Sequence, residues 1–237
     1  MLEDNLRKII RENLEVVLAF NGYERFEGAV DKQEFMKVIR RDPALAPFFL
    51  ANEKYATVRI GGNLITSLHR KLGDIYEGIF EELLRDRLGV SQADLNFSVS
   101  LDVDGQAQRR STDGALRLSV LGEQAQRRVR RLQSDRSAKG LGFEVRSCYQ
   151  IGDSKRIQAD RDLALALRRH GLEPVLLIFC ATSLRSPVKR LAEYWTVREG
   201  TAAFAYVKEL TGFDLAQFLK AEKRMIRELM ERIFAMM

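Results

Sequence analysis

A short apolar strand sequence that carries an acid and a base stands near the middle of this chain. Residues 142–150 read Gly-Phe-Glu-Val-Arg-Ser-Cys-Tyr-Gln, so that Phe143 and Val145 alternate with Glu144 and Arg146. Because side chains along a strand alternate between its faces, Glu144 and Arg146 are predicted to share one face. An ion pair on a buried strand costs free energy unless the protein uses or neutralises it.

The residues that follow this strand add basic charge. A turn containing Gly152 leads into a predicted helix over 154–170, and Lys155 and Arg156 lie in its first turns. An acid and a base two residues apart, on a strand that leads into a basic helix start, suit the binding of a divalent metal against a phosphate. The pattern therefore favours phosphate chemistry at the end of this strand.

Three further carboxylates are candidate metal ligands. Glu77 lies near the edge of the apolar stripe of a predicted helix over 63–88. It is either a solvated or salt-bridged helix residue or a carboxylate that reaches a metal site. Asp102 and Asp104 end an alternating strand over 95–104, where they are either a metal pair or a solvated strand end and turn.

Charge is distributed unevenly along the chain. Residues 1–100 carry 14 Lys/Arg and 16 Asp/Glu, a net charge of −2, so that residues 101–237 carry the remaining 25 and 17 of the 39 and 33, a net charge of +8. A basic second half predicts a polyanion partner, with nucleic acid as the first candidate. A basic surface that binds nothing is the alternative.

Two basic stretches are candidate contacts to a phosphate backbone. Residues 122–139 carry six basic and two acidic residues and form either an arm on DNA or a solvated loop or short helix. Residues 182–190 are predicted to be a hydroxyl-rich loop, which carries recognition groups or is an ordinary surface loop. The predicted DNA contacts are Arg109, Arg110, Arg127, Arg128, Arg130, Arg131, Arg156, Arg185 and Lys189.

The composition favours a cytoplasmic protein without a membrane span or a zinc centre. The N-terminus is acidic and then amphipathic, unlike a signal peptide, and no run of about 18 apolar residues is present. The cysteines, Cys148 and Cys180, are expected to be buried free thiols in a reducing compartment. His170 is predicted to end a helix before Gly171, and His69 has no neighbouring ligand in the sequence.

The order of predicted elements indicates an α/β fold with a mixed β-sheet flanked by helices. Helical regions over 1–60 and 201–237, assigned to packing or dimerisation, are predicted to flank a core over 61–200. The C-terminal region is predicted as helices over 201–211 and 215–236. The predicted core elements are a helix over 63–88, strands over 95–104, 112–121 and 141–150, a helix over 154–170 and a strand over 174–180.

In this order and in the placement of its acids, the chain resembles the PD-(D/E)xK nuclease superfamily over residues 63–180. There the first acid opens the second core strand and the (D/E)xK triplet lies on the third, positions that Asp113 and Glu144 match. A glutamate on the first core helix recurs in the family, and Glu77 matches it. The stretch 143–162 resembles type II restriction endonucleases, the ApaLI-like group among them.

The resemblance implies a restriction-endonuclease-like fold and Mg²⁺-dependent hydrolysis of double-stranded DNA. Asp113, Glu144 and the carbonyl of Val145 would hold the metal, and Arg146 or Lys155 would stabilise developing charge. Enzymes of this kind cut both strands of a palindrome, so a homodimer is expected. The catalytic residues that the resemblance implies are Asp113, Glu144, Arg146, Lys155 and Glu77.

The chain departs from the family pattern at Arg146, which stands where the family has lysine. Arginine stabilises phosphorane charge, but a pKa above about 12 makes it a poor proton acceptor. Three alternatives are open: Arg146 substitutes electrostatically, Lys155 reaches back into the site, or cleavage is weakened or lost. The rival functions are a DNA-binding module without cleavage and a repair or resolving nuclease on the same core.

Overall fold

The computed structural model describes residues 1–103, 106–150 and 154–236. The chain packs as two compact units. One contains Met1–Arg7 and Gly73–Ala221, and the other contains Lys8–Leu72 and Glu222–Met237. The division into regions 1–60, 61–200 and 201–237 stays a prediction.

Helices account for most of the ordered backbone. The α-helices are α1 (Leu2–Leu18), α2 (Lys32–Arg41), α3 (Glu53–Leu88), α4 (Gln92–Leu95), α5 (Glu123–Leu132), α6 (Ser154–Arg169), α7 (Arg185–Leu191), α8 (Thr201–Thr211), α9 (Leu215–Ala221) and α10 (Lys223–Phe234). The strands are β1 (Ser98–Val103), β2 (Gln106–Ser111), β3 (Ala115–Arg117), β4 (Gly140–Arg146), β5 (Leu172–Ile178) and β6 (Thr196–Glu199). Within the described part of the chain, every helix is too short or too polar to cross a bilayer.

The predicted mixed α/β fold is confirmed, with a small mixed sheet in the first unit. Its strand order is β3-β4-β5-β6, where β3 is antiparallel to β4 and the other neighbours are parallel. A separate antiparallel hairpin pairs β1 with β2. Because β4, β5 and β6 run in the same direction, their C-terminal ends meet at one edge of the sheet. Loops that follow parallel strands at such an edge are the usual place for a binding site.

Helices cover both faces of β4, which explains why all of its residues before Arg146 are buried. On one face, Gly142 lies so close to the Leu167 side chain of α6 that a Cβ atom would overlap it. On the other face, the Phe143 ring packs edge-on against Phe80 of α3 at 4.9 Å and against Tyr206 of α8 at 6.4 Å. The central strand therefore carries Glu144 and Arg146 into a protein interior rather than onto a wet surface.

The second unit has its own apolar core, which explains the helical periodicity of the N-terminal sequence. Phe35, Met36 and Ile39 on one side of α2 pack with Ala56 and Ile60 of α3. Asp31 caps α2 by accepting a hydrogen bond from the backbone N–H of Glu34 at 2.8 Å. This unit is held together by ordinary helix packing.

The predicted strand over 112–121 is wrong in its extent. Strand β3 covers only 115–117, and a single 3₁₀ turn over 118–120 follows it. Gly114 adopts a φ of +150°, which interrupts the extended chain before β3. The backbone N–H of Asp113 still donates to the Phe143 carbonyl at 3.0 Å, so Asp113 stays attached to the sheet.

Other predicted boundaries also needed correction. The expected loop over 182–190 contains α7, and the expected helix over 215–236 is two helices, α9 and α10. Helix α3 begins ten residues earlier than predicted and contains Gly61 and Gly62. Strands β2 and β6 carry few apolar residues, so periodicity did not reveal them. The predicted helix end at His170 is confirmed, because α6 ends at Arg169.

The close contact between β3 and β4 gives a test of this register. A Cβ atom at Gly140 would overlap the Leu116 carbonyl, whereas Gly62 within α3 has open space around it. We expect Gly140→Ala to lower the free energy of unfolding by about 2 kcal/mol or more. Gly62→Ala should leave it unchanged or raise it by up to about 1 kcal/mol. Urea denaturation measures both, and equal effects would contradict the register.

Candidate active site

The guanidinium group of Arg146 is the centre of a buried polar cluster at the C-terminal end of β4. Its Nη1 donates to the Val145 carbonyl at 3.0 Å and lies 3.6 Å from Oδ2 of Asp113. Its Nη2 forms an ion pair with Glu144 and a second one with Oδ1 of Asp160, at 3.2 Å. One cation therefore meets all three oxygen donors predicted as metal ligands.

The sheet fixes the two predicted acidic ligands relative to each other. Oδ2 of Asp113 accepts a hydrogen bond of 2.7 Å from the backbone N–H of Val145, which anchors this carboxylate on the neighbouring strand. Glu144 is only 4 % exposed, and the predicted placement of Glu144 and Arg146 on one strand face agrees with their ion pair. The geometry is rigid because backbone hydrogen bonds of the sheet hold both acids.

Asp160 joins the cluster although it was not among the site residues predicted from the sequence. It lies on α6, is 5 % exposed, and accepts a hydrogen bond of 2.8 Å from the hydroxyl of Tyr149. The Trp195 indole N–H donates to the Asp160 carbonyl at 3.0 Å. A signal was present in the sequence, because Asp160 is three residues after buried Ile157 and seven before buried Leu167, on the same face of the helix.

Glu77 also belongs to the cluster. Its side chain is hydrogen-bonded to Asp113 from α3. Burial, together with the charge of Asp113, raises the pKa of Glu77 from its usual 4.5 to about 7. Burial also raises the pKa of Asp113, although Arg146 and the Val145 N–H act in the opposite direction. Of the two alternatives for Glu77, its position agrees with a carboxylate at the site.

The cluster contains more negative than positive charge. Asp113, Glu144 and Asp160 face one guanidinium, and Glu77 lies beside Asp113, so acidic groups outnumber the basic group. Although burial acts against the charged form, the acids, Asp160 foremost, raise the pKa of Arg146. An excess of acidic over basic groups in a buried site favours the binding of a further cation.

The predicted donors suit a hard divalent metal. Two carboxylates and one carbonyl oxygen already converge on a single cation, and oxygen is the ligand that Mg²⁺ prefers. Across 1–103, 106–150 and 154–236, no group of three or more His, Cys, Asp and Glu side chains forms a ready-made metal centre. The predicted donor set consists of two such side chains, Asp113 and Glu144, and one backbone oxygen, the Val145 carbonyl.

The other predicted site residues near this end of β4 and on the hairpin are not part of the acidic cluster as described. Lys155 and Arg156 are exposed at the start of α6, and the charge of Arg156 acts on buried Tyr149. Asp104 lies outside the described residues, as does the side chain of Asp102. The pair Asp102 and Asp104 therefore stays a prediction.

A basic cavity opens at the edge of the sheet that carries the acidic cluster. It has a volume of about 610 Å³ and follows the ends of β5 and β6. Arg185 and Lys189, both predicted DNA contacts, contribute to its wall with Arg190, Ser183 and Glu199. This cavity brings cationic groups and hydroxyls to the side of the sheet where phosphate chemistry was predicted.

The arginines of 122–139 are on a helix at the other end of β4. Residues 123–132 form the short helix α5, and the contact of these arginines with DNA stays a prediction. Arg130 donates to the Ala138 carbonyl at 3.2 Å, just before β4 begins, and Arg128 lies beside Gly212 at the end of α8. Strand β4 is 7 residues long, which separates its two ends by about 20 Å. These arginines are therefore remote from Arg146.

The predicted contacts on 122–139 nevertheless form a basic surface of their own. Arg127, Arg130 and Arg131 line an open cavity of about 560 Å³ with Arg136. The Arg127 side chain is paired with Glu123 at 3.2 Å.

The two predicted DNA contacts on the β1–β2 hairpin make local hydrogen bonds. Arg109 donates to Ser98 at 3.1 Å and Arg110 donates to Gln108 at 2.6 Å.

Comparison with known proteins adds no relative to this picture. No family model, no curated protein and no solved structure gives a significant match to the chain.

The raised pKa of Glu77 predicts a pH dependence of stability. The pKa of Glu77 is about 7 in the folded chain and about 4.5 in the unfolded chain. Between these two pH values, the Glu77 carboxyl group is therefore protonated mainly in the folded chain. The free energy of unfolding should therefore fall as the pH rises from about 4.5 to about 7. We expect Glu77→Gln to lose less stability than the parent chain over this interval.

Urea unfolding at the two ends of the interval measures this difference. Glu123→Gln, which alters an exposed glutamate on α5, is the matched control and should follow the parent chain. The same pH slope in Glu77→Gln and in the parent chain would contradict the assigned cause.

Proposed function

We propose that this protein is a Mg²⁺-dependent endonuclease that hydrolyses phosphodiester bonds of double-stranded DNA. The observation that carries the proposal is the convergence of Asp113, Glu144 and the Val145 carbonyl on one guanidinium, inside a site with more acidic than basic groups. A divalent metal supplies a Lewis acid for the phosphate and lowers the pKa of a bound water. Within this class, a cytoplasmic type II restriction endonuclease acting as a homodimer is the proposed form.

The fold supports this proposal through the placement of its acids. Asp113 precedes β3, Glu144 lies on the adjacent central strand β4, and Glu77 approaches them from α3. This is the arrangement that the resemblance to PD-(D/E)xK nucleases implies. A restriction-endonuclease-like core is therefore part of the proposal.

Each residue of the cluster has a distinct part in the proposed reaction. Asp113, Glu144 and the Val145 carbonyl would hold the metal. Arg146 stays protonated, because surrounding acids raise its pKa, and it serves as a fixed positive charge for the phosphate. Glu77, with a pKa of about 7, is the carboxyl group that can exchange a proton near neutral pH.

The guanidinium of Arg146 keeps one buried donor, its Nε, without a hydrogen-bond partner among the described residues. Asp160 holds the other end of the guanidinium, and Tyr149 in turn holds Asp160. This support favours Arg146 as an electrostatic substitute for the family lysine. Lys155, exposed at the start of α6, is the alternative donor.

The rival proposal is a DNA-binding module without cleavage. One observation favours it, namely that the guanidinium already contacts one oxygen of each of the three predicted metal-binding residues. In that case Arg146 would replace the metal permanently. The two proposals differ in whether Mg²⁺ binds at the cluster at all.

Cleavage of unmodified plasmid and genomic DNA tests the proposed activity. We expect discrete fragments with Mg²⁺ and none with EDTA. Asp113→Asn and Glu144→Gln should each lower the rate by about 100-fold or more, because each removes a charged ligand. The control Asp86→Asn alters an exposed acid of α3 and should cut like the parent chain.

The fragment pattern separates the candidate activities. Cleavage at the same sequence in every linear duplex that contains it supports a restriction enzyme. Preference for branched or flapped substrates supports a repair or resolving nuclease. Salt-sensitive binding without cleavage supports the DNA-binding module.

A stability measurement tests the role of the Arg146 charge. We expect Arg146→Met to lower the free energy of unfolding by about 3–5 kcal/mol, because it leaves buried carboxylates unpaired. The exposed control Arg127→Met should stay within about 0.5 kcal/mol of the parent chain. Added Mg²⁺ should restore part of the loss in Arg146→Met, since a metal can replace the missing cation. No effect of Mg²⁺ on the stability of either Arg146→Met or the parent chain would contradict the metal site.

A further inference from the structure

The two cysteines meet across neighbouring parallel strands. Arg146 of β4 is in register with Ile178 of β5, and the pairing continues beyond the strands, where the backbone N–H of Cys180 donates to the Ser147 carbonyl at 2.8 Å. Cys148 and Cys180 each lie two residues after the Arg146–Ile178 pair, so the same register places them opposite each other. Burial raises the pKa of the Cys180 thiol and the Cys148 side chain adds to this rise, which indicates that the two side chains are neighbours. Both thiols are free and half-buried, which corrects the expectation that they are fully buried.

The spacing of the two residues suits a covalent bond. Neighbouring strands lie about 4.8 Å apart, which is within the range of about 4.4–6.8 Å that separates the Cα atoms of disulfides. The hydroxyl of Ser183 contacts the Cys148 sulfur at 3.7 Å and also accepts a hydrogen bond from the Tyr149 N–H at 3.1 Å. This network fixes the loop beside the thiols before any bond forms.

The pair lies next to the basic cavity at the end of β5. Ser183, whose hydroxyl contacts the Cys148 sulfur, lines this cavity of about 610 Å³, and both thiols are partly exposed. Cys148 lies two residues after Arg146, so a bond here would join the end of the candidate active-site strand to the segment that leads into the cavity.

We propose that Cys148 and Cys180 are a reversible dithiol–disulfide pair that a low-molecular-weight disulfide oxidises. In the first step, one cysteine thiolate attacks the small disulfide, forms a mixed disulfide and releases one small thiol. In the second step, the other cysteine attacks its neighbour's sulfur, forms the Cys148–Cys180 bond and releases the second small thiol. The protein loses two electrons and two protons, and the small disulfide gains them. This inference does not depend on the proposed nuclease activity.

Burial affects the rate of this exchange. It raises the pKa of the Cys180 thiol, and the adjacent Cys148 adds to the shift. Since the thiolate is the nucleophile, mildly alkaline buffer is the suitable condition for the test.

Intact mass spectrometry of the full native chain tests the proposal. The reduced protein is incubated with oxidised glutathione, quenched with acid and weighed. We expect a loss of two hydrogen atoms, no retained glutathione, and one peptide containing both cysteines after proteolysis. Reduction should restore the original mass.

The single variants Cys148→Ser and Cys180→Ser provide the matched controls. Each lacks the second nucleophile, so each should retain one glutathione as a stable mixed disulfide. In the parent chain, retention of one or two glutathiones, or two thiols that still react with an alkylating agent, would overturn the proposal. The parent-chain result is decisive even where a variant fails to fold.

Discussion

The candidate site depends on one electrostatic constraint: buried carboxylates at the end of β4 need a cation. The guanidinium of Arg146 supplies it by contacting Asp113, Glu144 and Asp160. One guanidinium faces several acids, and burial together with the charge of Asp113 raises the pKa of Glu77. Such a site gains stability from a second cation, which is the physical basis for proposing a metal.

The direction of the strands decides which basic groups can serve this site. Strands β4, β5 and β6 are parallel, so the cavity lined by Arg185 and Lys189 opens at the edge where Arg146 lies. The arginines of α5 lie toward the opposite edge, where β4 begins. Net charge alone does not distinguish the cavity at the ends of β5 and β6 from the arginine surface of α5. The strand order and direction do distinguish them.

Local patterns predicted much of the fold and part of the site. Alternation along 142–146 placed Glu144 and Arg146 on one face, and a continuous apolar run identified β5. Periodicity could not identify β2 or β6, whose residues are mostly polar, nor the break at Gly114, which depends on a positive φ. The ion pair of Arg146 with Asp160 joins residues that are 14 positions apart on β4 and α6, so it could be found only from the packing of α6 on β4. The assignment of α5 to the remote edge likewise required the sheet order.

The most direct test of the central claim is a Mn²⁺ titration followed by electron paramagnetic resonance. Mn²⁺ takes the same oxygen ligands as Mg²⁺ and reports its own binding. The account predicts saturable binding to the parent chain and its loss in Glu144→Gln, with the exposed-acid variant Asp86→Asn unchanged. Binding that is equally strong in Glu144→Gln, or no binding to the parent chain, would contradict a metal site at Arg146.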